Sequence, residues 1–378
     1  MWVIREAKPA DLDPLFELAT SLNTVNLPAN RAVIQELVKT SQGSFQLEAL
    51  VRRQLLFVLE RWSYEEATQR WGSEVLGSCM IIPQHGTHDR PASYFRIMER
   101  QKYSSILKRH FKHQTLELIF DYDGPTELGG LVLSPKLRGH PLKLGRFLSY
   151  ARLAFISSPS RRAWFQDEVV AELLPALGPN RDSELWPYLG QRFTGLDYHT
   201  ADKLSREHIH FIQELFPHAP LYTSLLPERV QSQLGEVGPD SKPAAHLLSK
   251  VGFRFDGTID PFDGGPTYRV KTDECALVQR SVIGSWDPQR SPTHFLNQSE
   301  PGECGALLID SLSQGGGVKL ILGEGAVRNS AQGELLFAPY HQGELASSHE
   351  AISELLPVLP GALTSFTPFG VMGSPRST

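Results

Sequence analysis

A chain of 378 residues with 40% hydrophobic residues is long enough for one large or two ordinary domains with a sizeable core. Its formal net charge of -5 gives no reason to expect nucleic acid and suits a cationic small molecule. No run of about 18 apolar residues is present, so a membrane span is not expected. The opening Met1-Trp-Val-Ile-Arg-Glu6 lacks the basic and apolar regions of a secretion signal. Cys79, Cys275 and Cys304 stand apart, match no metal-ligand spacing and leave one thiol over in any disulfide scheme. A reduced, cytoplasmic protein without a metal is the expectation.

Trp2 to Arg5 reads as a strand, followed by a loop at Pro9 and a helix from Asp11 through Ala19. Asp11 is suited to cap that helix, and Leu12, Leu15 and Leu18 fall on one of its faces. A helix around Arg31 to Thr40 and a strand at Leu55 to Glu60 come next. The charged stretch Arg61 to Gly72 reads as an insertion ahead of a strand at Glu74 to Ile82, and the polar block Pro83 to Pro91 as a loop.

The run Glu127-Leu-Gly-Gly-Leu-Val-Leu-Ser-Pro-Lys-Leu-Arg138-Gly139 then reads as a strand that ends in Ser-Pro, turns on Arg-Gly and enters an amphipathic helix at Leu144 to Phe155. The N–H groups that open such a helix lack intrahelical partners and sit at the positive end of its dipole, so the turn is suited to a phosphate. Pro141 contributes no N–H there, and an ordinary strand-turn-helix stands as the alternative.

Glu168 to Leu173 reads as a buried strand beside Leu128 to Leu133. Helices at Ser183 to Leu189 and Pro243 to Lys250 each stop at a glycine, Gly190 or Gly252, and pass to Phe193 or Phe253. Ser285 to Gly305 reads as a linker, residues 306–338 as two or three short strands around Gly315-Gly-Gly317, and Thr364 to Thr378 as a flexible tail.

Several separated segments together resemble the arginine N-succinyltransferase family, within the acyl-CoA N-acyltransferase superfamily. They include Val3-Ile-Arg5, Asp11-Leu12, Leu27-Pro-Ala-Asn30, Phe57-Val-Leu-Glu60, Tyr94-Phe-Arg96, Glu127-Leu128, Leu131 to Arg138 and Val169-Val-Ala-Glu-Leu173. The matches continue through Trp186, Leu189-Gly190, Arg192-Phe193, Ala201-Asp202 and Tyr222-Thr223, and close on Ile259-Asp-Pro-Phe-Asp-Gly-Gly-Pro-Thr267. They occur in order over about residues 1–285, and the Phe-Asp-Gly-Gly-Pro-Thr run is the most distinctive.

The resemblance implies an α/β (α+β) fold, a mixed twisted sheet flanked by helices, in which the strands at Leu128 and Glu168 splay to admit the pantetheine arm. Two glycine corners suggest two such units in tandem, and one unit with a long insertion is the alternative. The corresponding division is an amino-terminal unit over 1–160, a second half over 161–285 that completes the core, and a carboxy-terminal extension over 286–378. The implied reaction moves a succinyl group from succinyl-CoA, as co-substrate, to the α-amino group of L-arginine, in arginine catabolism in bacteria.

That reaction needs a base, an oxyanion donor and an acid. By resemblance, Glu127 is the candidate base and the Leu131 N–H the candidate donor to the thioester oxygen. Leu133, Arg138, Gly139 and Gly145 would hold the coenzyme. Asp260 and Asp263 would pair with the arginine guanidinium, as bidentate carboxylates do, or would cap the turn at Gly264-Gly265. Arg96 and Arg192 are candidates for the succinyl carboxylate.

Three positions depart from the family pattern. The histidine taken to be the proton donor, in Gly-x-Val-His-Pro, is Gly238 here, Met-Arg-Gly after Val-Ala-Glu is replaced by Leu174-Pro175 following Leu173, and the cysteine after Glu-Leu is Gly129. His218, Tyr222 and His246 are titratable substitutes, although His246 on a helix face also suits a structural role. An active transferase, alone or in a homo- or hetero-oligomer with a related chain, therefore stands beside a second reading: a catalytically impaired partner subunit or regulatory member that binds CoA or arginine.

Overall fold

The structure, a computed structural model, describes residues 2–22, 27–46, 53–65, 70–140, 143–157, 159–205, 208, 210–279, 282–287, 303–310, 318–322, 334–341 and 365–371. In chain order the elements are β1 (Trp2–Glu6), α1 (Leu12–Leu22), α2 (Arg31–Phe45), β2 (Leu55–Glu65), β3 (Arg70–Ile82), β4 (Ala92–Ser104), β5 (Arg109–Asp121), β6 (Thr126–Leu133), α3 (Leu144–Ile156) and β7 (Glu168–Glu172). They continue as α4 (Gly190–Thr194), α5 (Tyr198–Ser205), α6 (His210–Leu215), β8 (Leu221–Tyr222), α7 (Glu228–Gln231), α8 (Lys242–Lys250), β9 (Arg254–Ile259), β10 (Pro266–Lys271) and α9 (Ala276–Gln279). Five further strands follow: β11 (Val282–Asp287), β12 (Glu303–Asp310), β13 (Val318–Leu322), β14 (Glu334–His341) and β15 (Ser365–Val371). The last lies where a flexible tail was expected.

Contacts divide the chain into two compact units that interleave in sequence: residues 1–83, 128–165 and 272–378 form the first, and residues 84–127 and 166–271 the second. In the first unit β1, β2 and β3 are antiparallel neighbours, and β13 pairs with the other side of β1. α1 turns Leu15 and Leu18 inward and α2 turns Ile34 and Val38 inward, against Leu56 and Val58. Asn30 starts α2 by accepting the N–H groups of Ala32 and Val33 on its side-chain oxygen. Phe45, Phe57 and Phe155 meet edge to face, with ring centroids 5.1–6.1 Å apart.

Asp11 does not cap α1. Its carboxylate accepts the Lys8 N–H at 2.7 Å and two hydrogen bonds from Arg5, at 2.7 and 2.9 Å. Arg5 also donates two to Glu60, at 2.8 and 3.0 Å. Three separated matches of the sequence, at Arg5, Asp11 and Glu60, are thus one ion network, its side chains 12%, 5% and 5% exposed. Burial works against the guanidinium charge, but the hydrogen bonds and charges of Asp11 and Glu60 outweigh it and strengthen its protonation.

The stretch expected as an insertion mostly lengthens a hairpin: β2 and β3 stay paired from Arg61 opposite Glu74 to Glu65 opposite Arg70. The expected helix ending at Gly190 is also corrected. Ser183 accepts the N–H groups of Leu185 and Trp186 and starts a 3-10 turn at Trp186–Tyr188, and Gly190 opens α4 instead of closing a helix. The reason is packing, since a Cβ on Gly190 would lie 2.2 Å from the Trp186 ring. α8 does stop as expected, with Gly252 at φ +106°. One glycine corner therefore remains of the two that suggested a tandem.

The second unit runs β7, β10, β9, β4, β5 and β8 as antiparallel neighbours. β6 lies parallel to β7, with Thr126 opposite Val169 and Glu127 opposite Val170. Helical segments cover this unit through a core that includes Phe95, Trp186, Ile212, Phe216 and Ile259. The β4–β5 hairpin, unforeseen in the sequence, ends in a turn whose Ile106 is 91% exposed.

Candidate active site

Two glycines set the first residue of the site. His85 lies in the loop between β3 and β4, where its N–H donates to Pro125 O at 2.7 Å and the Gly124 N–H donates to Gly86 O at 3.1 Å. A Cβ on Gly124 would stand 1.7 Å from the His85 carbonyl oxygen, and one on Gly86, at φ +95°, 2.3 Å from the Asp121 carbonyl oxygen. Only glycine permits this approach at either position. The loop therefore holds His85 against the start of β6.

There His85 Nδ1 stands 2.6 Å from Glu127 Oε2, and its Nε2 3.6 Å from Glu172 Oε1. The three side chains are 20%, 13% and 30% exposed, so the cluster is sheltered but reachable. Glu127 and Glu172 come from neighbouring parallel and antiparallel ladders: Glu127 is opposite Val170 and Glu172 opposite Thr267. Tyr94, on β4, has its ring 6.0 Å from that of His85. Its hydroxyl is buried and has no hydrogen-bond partner among the described residues. Burial, then the charges of Glu172 and Glu127, push the Tyr94 phenol well above the ordinary range.

The Phe-Asp-Gly-Gly-Pro-Thr run forms the turn between β9 and β10. Phe262 stacks on Trp186, with centroids 4.8 Å apart and rings 3° from parallel, and its carbonyl accepts the Ser183 hydroxyl at 2.6 Å. Asp260 Oδ1 accepts the N–H groups of Phe262 and Asp263, and Asp263 Oδ1 accepts that of Gly265. Gly265 lets the turn press against β7, because a Cβ there would meet Leu173 O at 2.3 Å. The turn thereby brings Asp260 and Asp263 into electrostatic reach of Glu172 and of Asp202 on α5.

These carboxylates strain one another. Burial raises the Asp260 carboxyl to about 6, with Asp202 adding to the rise, while the two N–H donors and His85 work against it. Asp263 goes well above the ordinary range, by burial first and the Asp260 charge next. The phenol of Tyr198, also on α5, is raised by burial and then by Asp263, Asp260 and Asp202. A cation would relieve this set, as opposite charge lowers a raised carboxyl.

Of the residues expected from sequence, Glu127, Asp260 and Asp263 thus share the second unit with His85 and Glu172. The candidate coenzyme residues Leu131, Leu133, Arg138, Gly139 and Gly145 belong to the first unit. Leu131 and Leu133 are half-buried on β6, just after Gly130 at φ +58°. Arg138 is exposed and its N–H closes the turn on Pro135 O at 3.1 Å. Gly139 is exposed at φ +73° with open space where a Cβ would be, and Gly145 lies in the first turn of α3. Pro141 lies outside the described residues. Arg96, Arg192, His218 and His246 are exposed, and Tyr222 meets His113 edge to face. His85 was missed because a histidine in a polar loop carries no spacing signal toward residues 42 and 87 positions later.

Gly238 has no room for the family's histidine. Its N–H donates to Leu174 O at 2.9 Å, and a Cβ would stand 2.2 Å from Pro175 O.

Among the described residues, no helix is long and apolar enough to cross a membrane. A family described as "Arginine N-succinyltransferase beta subunit" matches residues 2–277. The chain is 34% identical over 290 residues to the arginine N-succinyltransferase of Escherichia coli O6:H1 (strain CFT073), covering 75% of this chain and 80% of that one. The same identity and coverage hold for the enzyme of that name from Escherichia coli O1:K1. In structure, the arginine/ornithine succinyltransferase subunit AI of Pseudomonas aeruginosa matches with a TM-score of 0.69 and 23% identity, over 91% of this chain and 99% of that one, and establishes the shared mixed α/β fold. By the extent of the family match and the identity to these relatives, the chain belongs to the arginine N-succinyltransferase family of acyltransferases.

Proposed function

We propose that the protein transfers the succinyl group of succinyl-CoA to the α-amino group of L-arginine, a reading in line with relatives that are named arginine N-succinyltransferase. The observation that carries this reading is the pairing of Glu127 with His85, 2.6 Å apart, beside the strained carboxylates Glu172, Asp202, Asp260 and Asp263. Arginine brings two cations to such a set, and the Glu127–His85 pair can take a proton from the amine. Asp260 and Asp263 each use one oxygen on the turn, which leaves their second oxygens to face a guanidinium. The exposed Arg138, the open Gly139 and the start of α3 support a coenzyme phosphate site in the first unit. The Leu131 N–H on β6 is proposed as donor to the thioester oxygen. Succinyl-CoA as the acyl donor and the cytoplasm as the location follow from the same reading.

Thiol release from succinyl-CoA by the purified chain, with L-arginine, with ornithine and with no acceptor, tests it. Release that depends on arginine supports the transferase. The crowding at Gly238 favours a second reading, a partner subunit without turnover, and calorimetric binding of succinyl-CoA without thiol release would establish that one.

A further inference from the structure

The site lacks the histidine that the family pattern leads one to expect at position 238, yet a different histidine stands among its carboxylates. His85 Nδ1 is 2.6 Å from Glu127 Oε2, and its Nε2 is 3.6 Å from Glu172 Oε1. An imidazole flanked by two carboxylates in a sheltered site has its protonated form stabilised by their charge, which suits it to take and return a proton.

An independent observation points to the same place. The Tyr94 hydroxyl, on a residue 1% exposed, has no hydrogen-bond partner among the described residues. The charges of Glu172 and Glu127 both reach it. A buried hydroxyl of this kind is costly unless something is bound against it. Among the described residues, the charged and titratable groups around His85 include Glu127 of β6, Glu172 of β7, Tyr94 of β4 and Asp260 of the β9–β10 turn.

We propose that His85 is the proton-transfer residue of the acylation, with Glu127 acting through it, in place of the missing histidine at 238. The inference rests on the transferase reading above. As an α-ammonium becomes an amide it gives up two protons, and the departing coenzyme sulfur takes up one, so each turnover releases one proton. The first proton leaves before attack, by way of Glu172, the most exposed of the three side chains. The amine nitrogen then forms the C–N bond, Nε2 takes its second proton, and the imidazolium returns that proton to the sulfur as the C–S bond breaks.

The test is His85→Asn, which keeps an N–H donor toward Glu127 but cannot titrate. Its kcat should fall by ~10²–10⁴-fold, with the KM for succinyl-CoA changed less than about threefold and the acid limb of the pH–rate profile lost. The deficit should shrink when the donor is the succinyl thioester of an acidic aromatic thiol, whose sulfur leaves without a proton. A purely orienting His85 would leave the variant's limb and the thiol dependence as in the wild type, and that result overturns the proposal. His85→Gln, read with the same two donors, keeps the test open if His85→Asn does not fold, as judged by its thermal melt. Wild-type protein that releases no thiol with arginine would overturn the transferase reading and this inference together. Turnover in the wild type with undiminished kcat in both variants would overturn this inference alone.

Discussion

The Pro175 carbonyl leaves Gly238 no room for a side chain: a Cβ on Gly238 would lie 2.2 Å from the Pro175 carbonyl oxygen. Two departures from the family pattern, one at the missing histidine and one after the Val-Ala-Glu strand, are therefore in contact. The segment Leu174-Pro175 runs where a side chain at 238 would begin, and the Gly238 N–H fixes it through Leu174 O. A histidine at 238 therefore requires this segment to move.

Gly238→His is accordingly expected to lose stability and gain no rate. Forcing a side chain into a packed site costs about 1–3 kcal/mol, and displacing backbone costs at least the upper part of that range. Urea unfolding measures the loss, and thiol release measures the rate.

Glu127→Gln should lower kcat by ~10²–10⁴-fold while succinyl-CoA still binds, because the amide lacks the charge that stabilises the His85 imidazolium. Steady-state kinetics with isothermal calorimetry checks this, and undiminished turnover would remove Glu127 from the mechanism.

Removing one member of a buried ion network strands the others. Arg5→Ala should therefore destabilise the protein by about 3–5 kcal/mol, leaving Asp11 and Glu60 buried without their cation. Equilibrium unfolding reads the cost. Arg5→Met combined with Glu60→Leu and Asp11→Leu should recover much of it, since the whole network is replaced.

The Asp260 carboxyl, raised to about 6 in the folded protein, binds protons there that the unfolded chain has already released. Its contribution to stability is complete below the ordinary carboxylate range and is lost as pH rises through about 6. Urea unfolding from pH 4 to 8 should show this decline, and Asp260→Asn should flatten it. Arginine binding to the same carboxylates should release protons near pH 6, seen as a buffer-dependent enthalpy in calorimetry.

Trp186→Ala should cost about 3–5 kcal/mol and raise the KM for arginine more than that for succinyl-CoA, because Phe262 loses its stacking partner and the turn that carries Asp260 and Asp263 loses its anchor. Separate substrate titrations distinguish the two constants.

Local chemistry made much of this protein legible from its residues. Alternation and amphipathic spacing placed β1, α1, α3, β7 and α8, and the ordered matches identified the family, because these features depend on neighbours in the chain. Asp260 and Asp263, in the run Ile259 to Thr267, could be read as turn caps for the same reason. What needed the tertiary structure was every relation between distant segments. Arg5 had to meet Glu60 across a strand pair before Asp11 could be seen as its partner and not as a helix cap. His85 became part of a site only where Gly86 and Gly124 allowed two backbones to touch, and Gly190 became a packing residue only under the Trp186 ring. Such contacts depend on excluded volume between segments far apart in sequence, and no periodicity in either segment encodes them.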